Sequence, residues 1–368
     1  MDVRLEQRDW RSFEEQAEVV RWDALAQWAA EPNPFFESWY LLPSLRLLDP
    51  TGQVRLLCVE ADGQLVGVLP VKRERSYYGH PLPHWRTWLH PNAFCGVPLV
   101  AAGAEKAFWR ALFAWADEAG STPLFFHLPE MPLHGPVHAA LREVLATENR
   151  PAALVHRYQR AMLQSDLSPA DYFEASVNAK RRKELRRREK RLTELGDLQV
   201  DRQGAAHGIE EWIDEFLALE RSGWKGAGGS ALASGEATEA LFRSAMRGAA
   251  ERGRLERLTL RLDGRAIASL TSFVTPPGAF GYKTAYDEKY ARFSPGVLLQ
   301  REFLDMLERG DVAWCDSCAA PDHLMIDHFW RERRPIGRIN VALGGRVRRT
   351  LFSAISRLES GHFPGALA

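Results

Sequence analysis

A β-hairpin pattern occurs twice in this chain of 368 residues, and it limits the possible folds more than any other feature of the sequence. In each copy two strand-like runs flank an Asp-Gly pair, which is Asp62-Gly63 in the first copy and Asp263-Gly264 in the second. Asp-Gly favours the tight turn that joins two antiparallel strands. A repeat of this kind predicts two units of one architecture in tandem. The strand runs are residues 54–60 and 65–72, and residues 255–262 and 266–274.

The segments around each hairpin also repeat in order. Helical patterns precede the hairpin, and a strand, a loop, an apolar-faced helix and a further strand follow it. This order predicts an α/β fold with mixed sheets, in two tandem domains at residues 1–160 and 161–368. The strand, helix and strand after the hairpin are residues 85–89, 104–119 and 123–128 in the first copy, and residues 280–286, 297–308 and 312–318 in the second.

The charge of the chain is zero in sum but uneven along the sequence. There are 48 Lys and Arg residues against 48 Asp and Glu residues. Residues 180–191 carry a charge of +7 and the Arg-rich segment 331–349 carries +6, so the rest of the chain carries −13. A protein that coats nucleic acid over its whole surface is therefore not expected. The two basic segments remain candidates for local anion binding.

The basic segment 180–191 is predicted to lie on a helix. Ser168-Pro169 is a helix start signal and Gly196 a stop signal, which together predict a helix over residues 169–195. Like charges with few acidic partners four residues away destabilise an isolated helix, which favours anion binding over a merely solvated face. The anion is the phosphate of a cofactor, an anionic lipid surface or RNA. The candidate anion-binding residues are Lys180, Arg181, Arg186 and Arg187.

The cysteines and the apolar segments narrow the class of protein further. Four cysteines are too few for a disulfide framework in a chain of this length. Cys315 and Cys318 form one C-x-x-C without a second pair, so we interpret them as small buried residues and expect no metal site. The sequence has no run of 18 apolar residues and no signal-peptide pattern, which favours a cytoplasmic protein.

Residues 290–300 follow the central strand of the second copy and lead into an apolar helix; they read Tyr-Ala-Arg-Phe-Ser-Pro-Gly-Val-Leu-Leu-Gln. They resemble the cofactor loop of the GNAT acyltransferase fold. In that fold the backbone N–H groups of the loop and the helix N-terminus hold the pyrophosphate of acyl-coenzyme A. The resemblance implies cofactor-binding roles for Arg292, Ser294, Pro295, Gly296, Val297 and Leu298.

Five sequence segments resemble segments of the tandem-GNAT group of proteins, which includes FemAB-like aminoacyl transferases and cellulose-biosynthesis-associated acetyltransferases. The resemblance covers most of the chain and implies two GNAT-like acyl-CoA N-acyltransferase domains. It also implies that the first domain has lost cofactor binding and shapes the acceptor pocket. The segments are Asn33-Pro-Phe-Phe-Glu-Ser-Trp39, Lys180-Arg-Arg-Lys-Glu-Leu-Arg-Arg187, Glu220-Arg-Ser-Gly-Trp-Lys-Gly226, Tyr282-Lys-Thr-Ala-Tyr-Asp287 and Ser294-Pro-Gly-Val-Leu298.

Acyl transfer to an amine needs a deprotonated amine, a donor for the oxyanion and an acid for the leaving thiolate. Asp287 is the candidate general base or amine-orienting residue. Lys283 would pair with it or contact a phosphate, and Tyr286 would donate a proton or line an acyl channel. His323 lies in a loop after a strand and has the side chain suited to proton transfer near neutral pH. The structural alternative is a Lys283–Asp287 ion pair with Tyr286 in the core.

Substrate-binding candidates lie in two further loops. Trp224 and Lys225 belong to a Gly-rich loop, in which Trp224 would cover a ligand and Lys225 would contact an anionic group. Glu220, just before this loop, is a further candidate base. His90 and Asn92 occupy the first-half loop that matches the cofactor loop, and we expect them in the acceptor pocket.

These patterns predict a cytoplasmic N-acyltransferase that uses acyl-CoA as co-substrate and no metal. The acceptor would be a primary amine on a small molecule or lipid, such as an amino sugar or a sphingoid base, and the basic helix could hold the enzyme at the inner face of an anionic membrane. One alternative is a FemAB-like tRNA-dependent aminoacyl or peptidyl transferase, although the long helical hairpin that such enzymes use near tRNA is not evident in the sequence. The other is a non-catalytic accessory protein of polysaccharide synthesis.

Overall fold

The structure is a computed structural model that describes residues 3–120, 122–204, 206–223, 232–321, 323, 325–327 and 329–360. The strands in these ranges are β1 (Val3–Asp9), β2 (Arg55–Ala61), β3 (Gln64–Glu74), β4 (His84–Thr87), β5 (Leu99–Val100), β6 (Phe125–Pro132), β7 (Ala152–Leu163), β8 (Leu198–Gln203), β9 (Leu255–Leu262), β10 (Arg265–Thr275), β11 (Gly278–Tyr286), β12 (Trp314–Asp316) and β13 (Glu332–Ala342). The helices are α1 (Gln16–Gln27), α2 (Ser38–Leu48), α3 (Glu105–Glu118), α4 (Pro136–Thr147), α5 (Pro169–Ser176), α6 (Ala179–Thr193), α7 (Ile209–Ser222), α8 (Glu236–Glu251), α9 (Pro295–Glu302) and α10 (Arg346–Ser360).

The chain divides into two compact units. The first holds the residues up to Gln159 and those from Pro335 onward, and the second holds Arg160–Arg334. The chain passes from the first unit to the second within β7 and returns within β13. This division differs from the predicted domains 1–160 and 161–368, because the segment after Arg334 belongs to the first unit.

Contacts of β13 and α10 explain this difference. β13 pairs antiparallel with β6, and Asn340 lies opposite His127 in that register. The ring of Phe352 in α10 is buried and lies 6.0 Å from the ring of Phe125, centroid to centroid. Both contacts complete the sheet and the core of the first unit. In the sequence this segment is evident only as a basic cluster, because Arg333, Arg334 and Arg338 interrupt the apolar residues of β13.

In the first unit the strand order is β1-β2-β3-β4-β6-β13-β7, and β5 pairs with β3. β1 to β4 are antiparallel, whereas β4 and β6 run parallel. Asp62 and Gly63 join β2 to β3 with φ values of +50° and +77°. Positive φ at both central residues is the geometry that an Asp-Gly hairpin turn requires.

In the second unit the end of β7 is followed across the sheet by β12, β11, β10, β9 and β8. Only β11 and β12 run parallel among these pairs. Asp263 and Gly264 join β9 to β10 with φ values of +49° and +78°. Each unit thus contains a hairpin followed by a parallel strand pair, which confirms the predicted α/β class and the repeat of one architecture.

The predicted helix over residues 169–195 is two helices, α5 and α6. Val177 has an extended backbone with φ −110° and ψ 123°, which ends α5. Asn178 then caps α6, because its side-chain oxygen accepts the N–H of Arg181 at 2.9 Å. Asn is among the preferred N-cap residues, so this break has a local cause in the sequence. The new helix still turns Leu185 and Leu192 into the core of the second unit.

Asn178→Ala should lower the free energy of unfolding by about 1 kcal/mol, because an N–H at the start of α6 loses its partner. Asn178→Ser is the matched control, since Ser is an equally good cap and should leave the stability within a few tenths of a kcal/mol of wild type. Urea unfolding followed by circular dichroism measures both. Equal stability of the Ala and Ser variants would show that the cap contributes nothing.

Candidate functional site

The parallel strands β11 and β12 separate soon after they meet. Residues 278–280 of β11 pair with Trp314–Asp316 of β12, and no further pair follows among the described residues. β12 ends there, whereas β11 continues to Tyr286. Gly281 lies at the point of separation, where a Cβ atom would be only 2.7 Å from the carbonyl oxygen of Ser317. The opening lies at the carboxyl ends of two parallel strands, which is where α/β sheets bind ligands.

A β-bulge at Tyr282 accompanies this separation. In the register of β10 against β11, Thr271 lies opposite Lys283 but Ser272 lies opposite Gly281. β11 therefore has one residue more than β10 at this point. A bulge bends and twists its own strand, which gives a local reason for β11 to stay with β10 and to leave β12.

A cavity of about 520 Å³ lies in this opening. Its walls come from β10, β11, α9 and the segment after β12. Three of the four predicted catalytic residues, Lys283, Tyr286 and His323, line it. The described residues that line it include Lys283 and His323 but no Asp or Glu. The fourth predicted catalytic residue, Asp287, is not part of this lining.

Asp287 instead has a capping contact. Its buried carboxylate accepts the N–H of Lys289 at 3.0 Å and lies 3.3 Å from the guanidinium of Arg265. It thereby caps the 3-10 helix Glu288–Phe293. The predicted pairing with Lys283 is therefore replaced by pairing with Arg265. The prediction relied on strand alternation, which no longer fixes the direction of a side chain beyond Tyr286, where β11 ends.

Tyr286 is one of the side chains of the cavity that can donate a proton. Its side chain is half-buried, and burial together with the nearby Glu288 raises the pKa of its hydroxyl above the ordinary value for tyrosine. The hydroxyl is therefore protonated at neutral pH. Lys283 lies with its Nζ 5.5 Å from the centroid of the Tyr282 ring. His323 is exposed at the edge of the cavity, where it can exchange protons with solvent.

The N-terminus of α9 lies against the same cavity. A Cβ atom on Gly296 would be 3.6 Å from Cδ1 of Tyr286 and 3.5 Å from Sδ of Met325, both of which line the cavity wall. Ser294 precedes the helix with φ +56°, and Pro295 is its first residue. A helix N-terminus carries partial positive charge and favours phosphate groups.

Two of the backbone amides in the predicted cofactor loop have another role. The N–H groups of Val297 and Leu298 donate to the carbonyl oxygen of Ser294 at 2.9 and 3.1 Å, which closes the first turn of α9. The side chain of Leu298 lies in the hydrophobic core, and exposed Arg292 stacks on Phe293. Phosphate binding here would therefore depend on the helix dipole and on neighbouring arginines more than on these two amides.

The basic helix α6 supplies such an arginine. Arg188 donates a hydrogen bond to Oγ of Ser294, directly before α9. Glu189 forms a two-pronged ion pair with Arg301 of α9, at 2.6 and 2.7 Å, which fixes the two helices side by side. Arg181 lies about two helical turns before Arg188 on α6. Burial, and then the charge of Arg188, lower the pKa of Arg181. Such a cluster of positive charge at a helix N-terminus fits a phosphate-bearing ligand.

The other predicted anion-binding residues lie farther out on α6. Lys180, Arg186 and Arg187 are exposed. A surface depression of about 460 Å³ is lined by Lys180, Arg181 and Arg187, together with neighbouring residues of α6. Arg187 is paired with Glu184 at 2.7 Å. The cationic face predicted from sequence thus exists, with Glu184 neutralising part of it.

Of the three substrate-binding candidates in and before the Gly-rich loop, Glu220 alone lies in the described part of the chain. Trp224 and Lys225 lie outside the described residues. Glu220 is buried at the end of α7, where its Oε2 accepts the N–H of Leu232 at 2.8 Å. It borders a cavity beside Tyr286 that measures only about 20 Å³, which is too small to hold a substrate. Its observed contact therefore anchors the chain after the loop.

The first unit has a cavity at the matching place. It measures about 630 Å³ and is lined by residues of β4, β6 and the loop after β4, among them His90 and His127. His90 stacks on Tyr40 at 5.8 Å, and its Nδ1 accepts the N–H of Asn92 at 3.3 Å. His90 lines the cavity, whereas the observed contacts of Asn92 shape the loop. Burial lowers the pKa of His127 to about 4, which keeps that ring neutral at pH 7.

The side chains of the cavity in the second unit that the sequence did not point to include Ser272, Gln300 and Trp330. Gln300 had a usable signal, since it is a polar residue on the apolar face of a short helix. Within the described ranges, no group of three or more His, Cys, Asp or Glu side chains is placed to hold a metal. No helix in the described part of the chain is both long enough and apolar enough to span a membrane.

Part of the chain matches a known family of protein domains. Residues 179–324 match the family described as "Acetyltransferase (GNAT) domain". No curated protein matches the sequence significantly. Among solved structures, FemX is similar with a TM-score of 0.58 and 12% identity, over 92% of this chain and 98% of that one.

Two further structures have a similar fold. A conserved protein of unknown function from Bacteroides thetaiotaomicron has a TM-score of 0.55 and 13% identity, over 88% of this chain and 97% of that one. The C-terminal domain (DUF2156) of a lysylphosphatidylglycerol synthetase from Agrobacterium fabrum has a TM-score of 0.54 and 14% identity, over 96% of this chain and 99% of that one. The chain therefore has the fold of FemX and of this synthetase domain, and residues 179–324 match the GNAT acetyltransferase domain, as the sequence motifs predicted.

Proposed function

We propose that the protein is an N-acyltransferase that transfers an acyl group from acyl-coenzyme A to a primary amine. The observation that carries this proposal is the cavity between β11 and β12, with the N-terminus of α9 and Arg188 beside it. Positive groups at this place favour the phosphates of the donor. The observed lining has Lys283 but no carboxylate, so it fits a donor that is anionic at one end and neutral at its reactive end.

The residues of the cavity supply the proton transfers of such a reaction. The amine nitrogen attacks the thioester carbon, the C–N bond forms and the C–S bond breaks. His323 accepts the proton that the amine loses, and Tyr286 gives its hydroxyl proton to the leaving sulfur. Burial and Glu288 keep the hydroxyl of Tyr286 protonated at neutral pH, so it holds the proton that the sulfur takes up. Coenzyme A supplies the activated thioester, and the protein needs no nucleophile of its own.

The acceptor is proposed to be an amine on a small molecule or lipid, such as an amino sugar or a sphingoid base. The exposed basic residues of α6 support contact with an anionic membrane surface, since each such charge near the surface adds to the attraction. In that case the enzyme would act in the cytoplasm at the inner face of the membrane. Binding to vesicles with and without anionic lipid tests this contact directly.

A second candidate is aminoacyl transfer from tRNA. Two observations favour it: the fold similarity to FemX and to the synthetase domain, and the cationic face of α6. A protonated aminoacyl group would, however, need an acidic partner in the cavity, and the lining that the structure describes offers none. The acyl-CoA donor therefore agrees better with the observed charges.

Arg188→Ala should weaken the binding of acetyl-CoA about 10- to 100-fold, because a charge-assisted hydrogen bond contributes about 1.5–3 kcal/mol. Isothermal titration calorimetry measures the dissociation constant. Lys190→Ala is the matched control: it removes the same charge from the same helix, but from an exposed position two residues on and hence on another face. We expect its affinity to stay within about twofold of wild type.

Other results of this experiment would favour other readings. Equal affinities of the Arg188 and Lys190 variants would place the phosphates away from α9. Absence of acyl-CoA binding, together with salt-sensitive tRNA binding that is lost when Arg186 and Arg187 are changed to Ala, would favour the tRNA-dependent candidate.

A further inference from the structure

The outward side of α10 is apolar, although a helix that packs on a core by one face normally presents polar residues to solvent. Phe352 and Ser356 are buried and mark the inward side of this helix. Val347, Leu351 and Leu358, in contrast, are 84%, 48% and 88% exposed. Large aliphatic side chains grouped on one exposed helix face indicate a surface that binds a partner.

The exposed apolar residues of α10 form one stripe along the helix. Val347, Leu351, Ala354 and Leu358 follow one another at spacings of four, three and four residues, and Ala354 is exposed like the other three. At 3.6 residues per turn such positions fall on one face, on the side away from Ser356. We call these four residues the apolar stripe. It extends over about 16 Å of the helix.

Positive charge borders the apolar stripe. Arg346 and Arg357 are exposed and lie on one flank of the stripe. Glu359 is the one acidic residue in the sequence of α10, and its Oε1 accepts a hydrogen bond from the hydroxyl of Tyr77 at 2.8 Å. That carboxylate is therefore engaged with the first unit. The exposed combination of aliphatic and basic side chains is complementary to a partner that is apolar and anionic.

Charge and size argue against a protein as this partner. In a symmetric antiparallel pair of two α10 helices, each flank lies beside the same flank of the other copy, so Arg346 and Arg357 of the two copies would face each other. Like charges brought together weaken such a pair. Four side chains over about 16 Å also fall short of the roughly 800 Å² that each partner buries in a stable protein interface. A membrane requires no such minimum, because its attraction adds up over individual apolar and basic residues.

We propose that α10 lies in the surface of an anionic membrane, with the apolar stripe inserted below the lipid headgroups and with Arg346 and Arg357 at the lipid phosphates. Arginine suits this arrangement, because its apolar stem can lie along the helix while its charged end reaches the headgroups. The proposal names an inserted helix in the first unit, whereas the contact proposed above for α6 rests on charge alone. It does not depend on the identity of the acyl donor.

The test measures binding of the full-length protein to vesicles of phosphatidylcholine and phosphatidylglycerol in equal parts, by co-sedimentation. The double variant Leu351→Gln/Leu358→Gln should bind at least about tenfold more weakly, because two leucine side chains no longer leave water on binding. Val20→Gln is the matched control: Val20 is 56% exposed on α1 of the same unit. Its affinity should stay within about twofold of wild type, since the apolar stripe is intact. Circular dichroism confirms that each variant is folded.

A second pair of variants tests the contribution of charge. Changing Arg346 and Arg357 to Gln should weaken binding to the mixed vesicles, because two positive charges near anionic headgroups are lost. Binding to vesicles of phosphatidylcholine alone should change little, since those lipids carry no net charge. Equal losses on both kinds of vesicle would contradict the assignment of these arginines to the lipid phosphates.

Three further results would overturn the proposal. If the double variant binds vesicles as wild type does, and binding is instead lost when Lys180 and Arg187 are changed to Ala, the membrane contact belongs to α6. If the wild type binds no vesicles, a membrane is not the partner. If sedimentation velocity shows a wild-type dimer that dissociates in the double variant, the apolar stripe is an interface between copies. None of these measurements involves acyl-CoA, so the proposed donor is tested separately.

Discussion

Asp316→Asn should lower the free energy of unfolding by about 3–5 kcal/mol, because it removes an anion that two buried arginines share. Asp316 is fully buried at the end of β12, and its Oδ2 lies 3.0 Å from Arg334 and 3.4 Å from Arg160. Both arginine side chains are only 3% exposed. Its Oδ1 also accepts the N–H of Cys318 at 2.8 Å. The Asn variant keeps the shape but takes the negative charge of Asp316 away from two buried guanidinium groups.

The pH dependence of this effect follows from the pKa of Asp316. Burial by itself would raise the pKa, but the charges of Arg160 and Arg334 outweigh burial and hold it below the ordinary value. The ionised group therefore stabilises the fold fully above its unfolded pKa of about 3.9, and the stabilisation is lost as the pH falls through the lower folded pKa. The difference in stability between wild type and Asp316→Asn should be constant above about pH 5 and should shrink below about pH 4.

Urea unfolding at several pH values measures this difference. Asp311→Asn is the control: Asp311 also pairs with an arginine, Arg309 at 2.9 Å, but it is 48% exposed. An exposed ion pair contributes about 0–1 kcal/mol, so the control should change stability little. Similar losses in the two variants would contradict the role of the buried cluster.

Tyr286→Phe should lower kcat for acyl transfer about 10²- to 10³-fold, because it removes the acid that protonates the leaving sulfur. The ring is kept, so KM for the acyl donor should change little. Steady-state kinetics, with release of free thiol followed by a chromogenic disulfide reagent, separates the two constants. An amine acceptor that supports turnover has to be found first by screening.

Tyr290→Phe is the control for this prediction, since Tyr290 is a partly buried tyrosine of the same segment that packs against the core. Its loss should leave kcat within about twofold of wild type. Because burial and Glu288 raise the pKa of Tyr286, the wild-type rate should fall only above about pH 10, and the fall should be missing in Tyr286→Phe. A variant with the wild-type rate and pH profile would remove Tyr286 from the mechanism.

The elements with local causes could be predicted from the sequence. The two Asp-Gly turns followed from a conformation that few other residue pairs adopt. Strand β9, over Leu255–Leu262, was predicted to the residue, because it is bounded by Gly253 and Asp263. Lys283, Tyr286 and His323 were brought to one cavity as expected, since the central strand and the loop after the next strand both end there.

The errors came from features that depend on distant contacts. β13 completes the first unit from the other end of the chain, and no local pattern shows which sheet a strand joins. The direction of Asp287 depends on Arg265, which lies 22 residues earlier and on another strand. The role of Ser272 as a cavity residue depends on the bulge at Tyr282, and a bulge leaves no clear signal in one sequence.

Because β13 returns to the first unit, the two units do not complete their sequences in chain order during synthesis. When β7 has been synthesised, the first unit still lacks β13 and α10, which pair with β6 and cover Phe125. All of Arg160–Arg334 must emerge before these pieces are available. The second unit therefore has its whole sequence before the first unit does, although nascent domains usually complete in order from the N-terminus. A fragment that ends near residue 160 would leave β6 as an open sheet edge prone to aggregation, whereas deletion of residues 160–334 with a short linker would keep the sequence of the first unit whole.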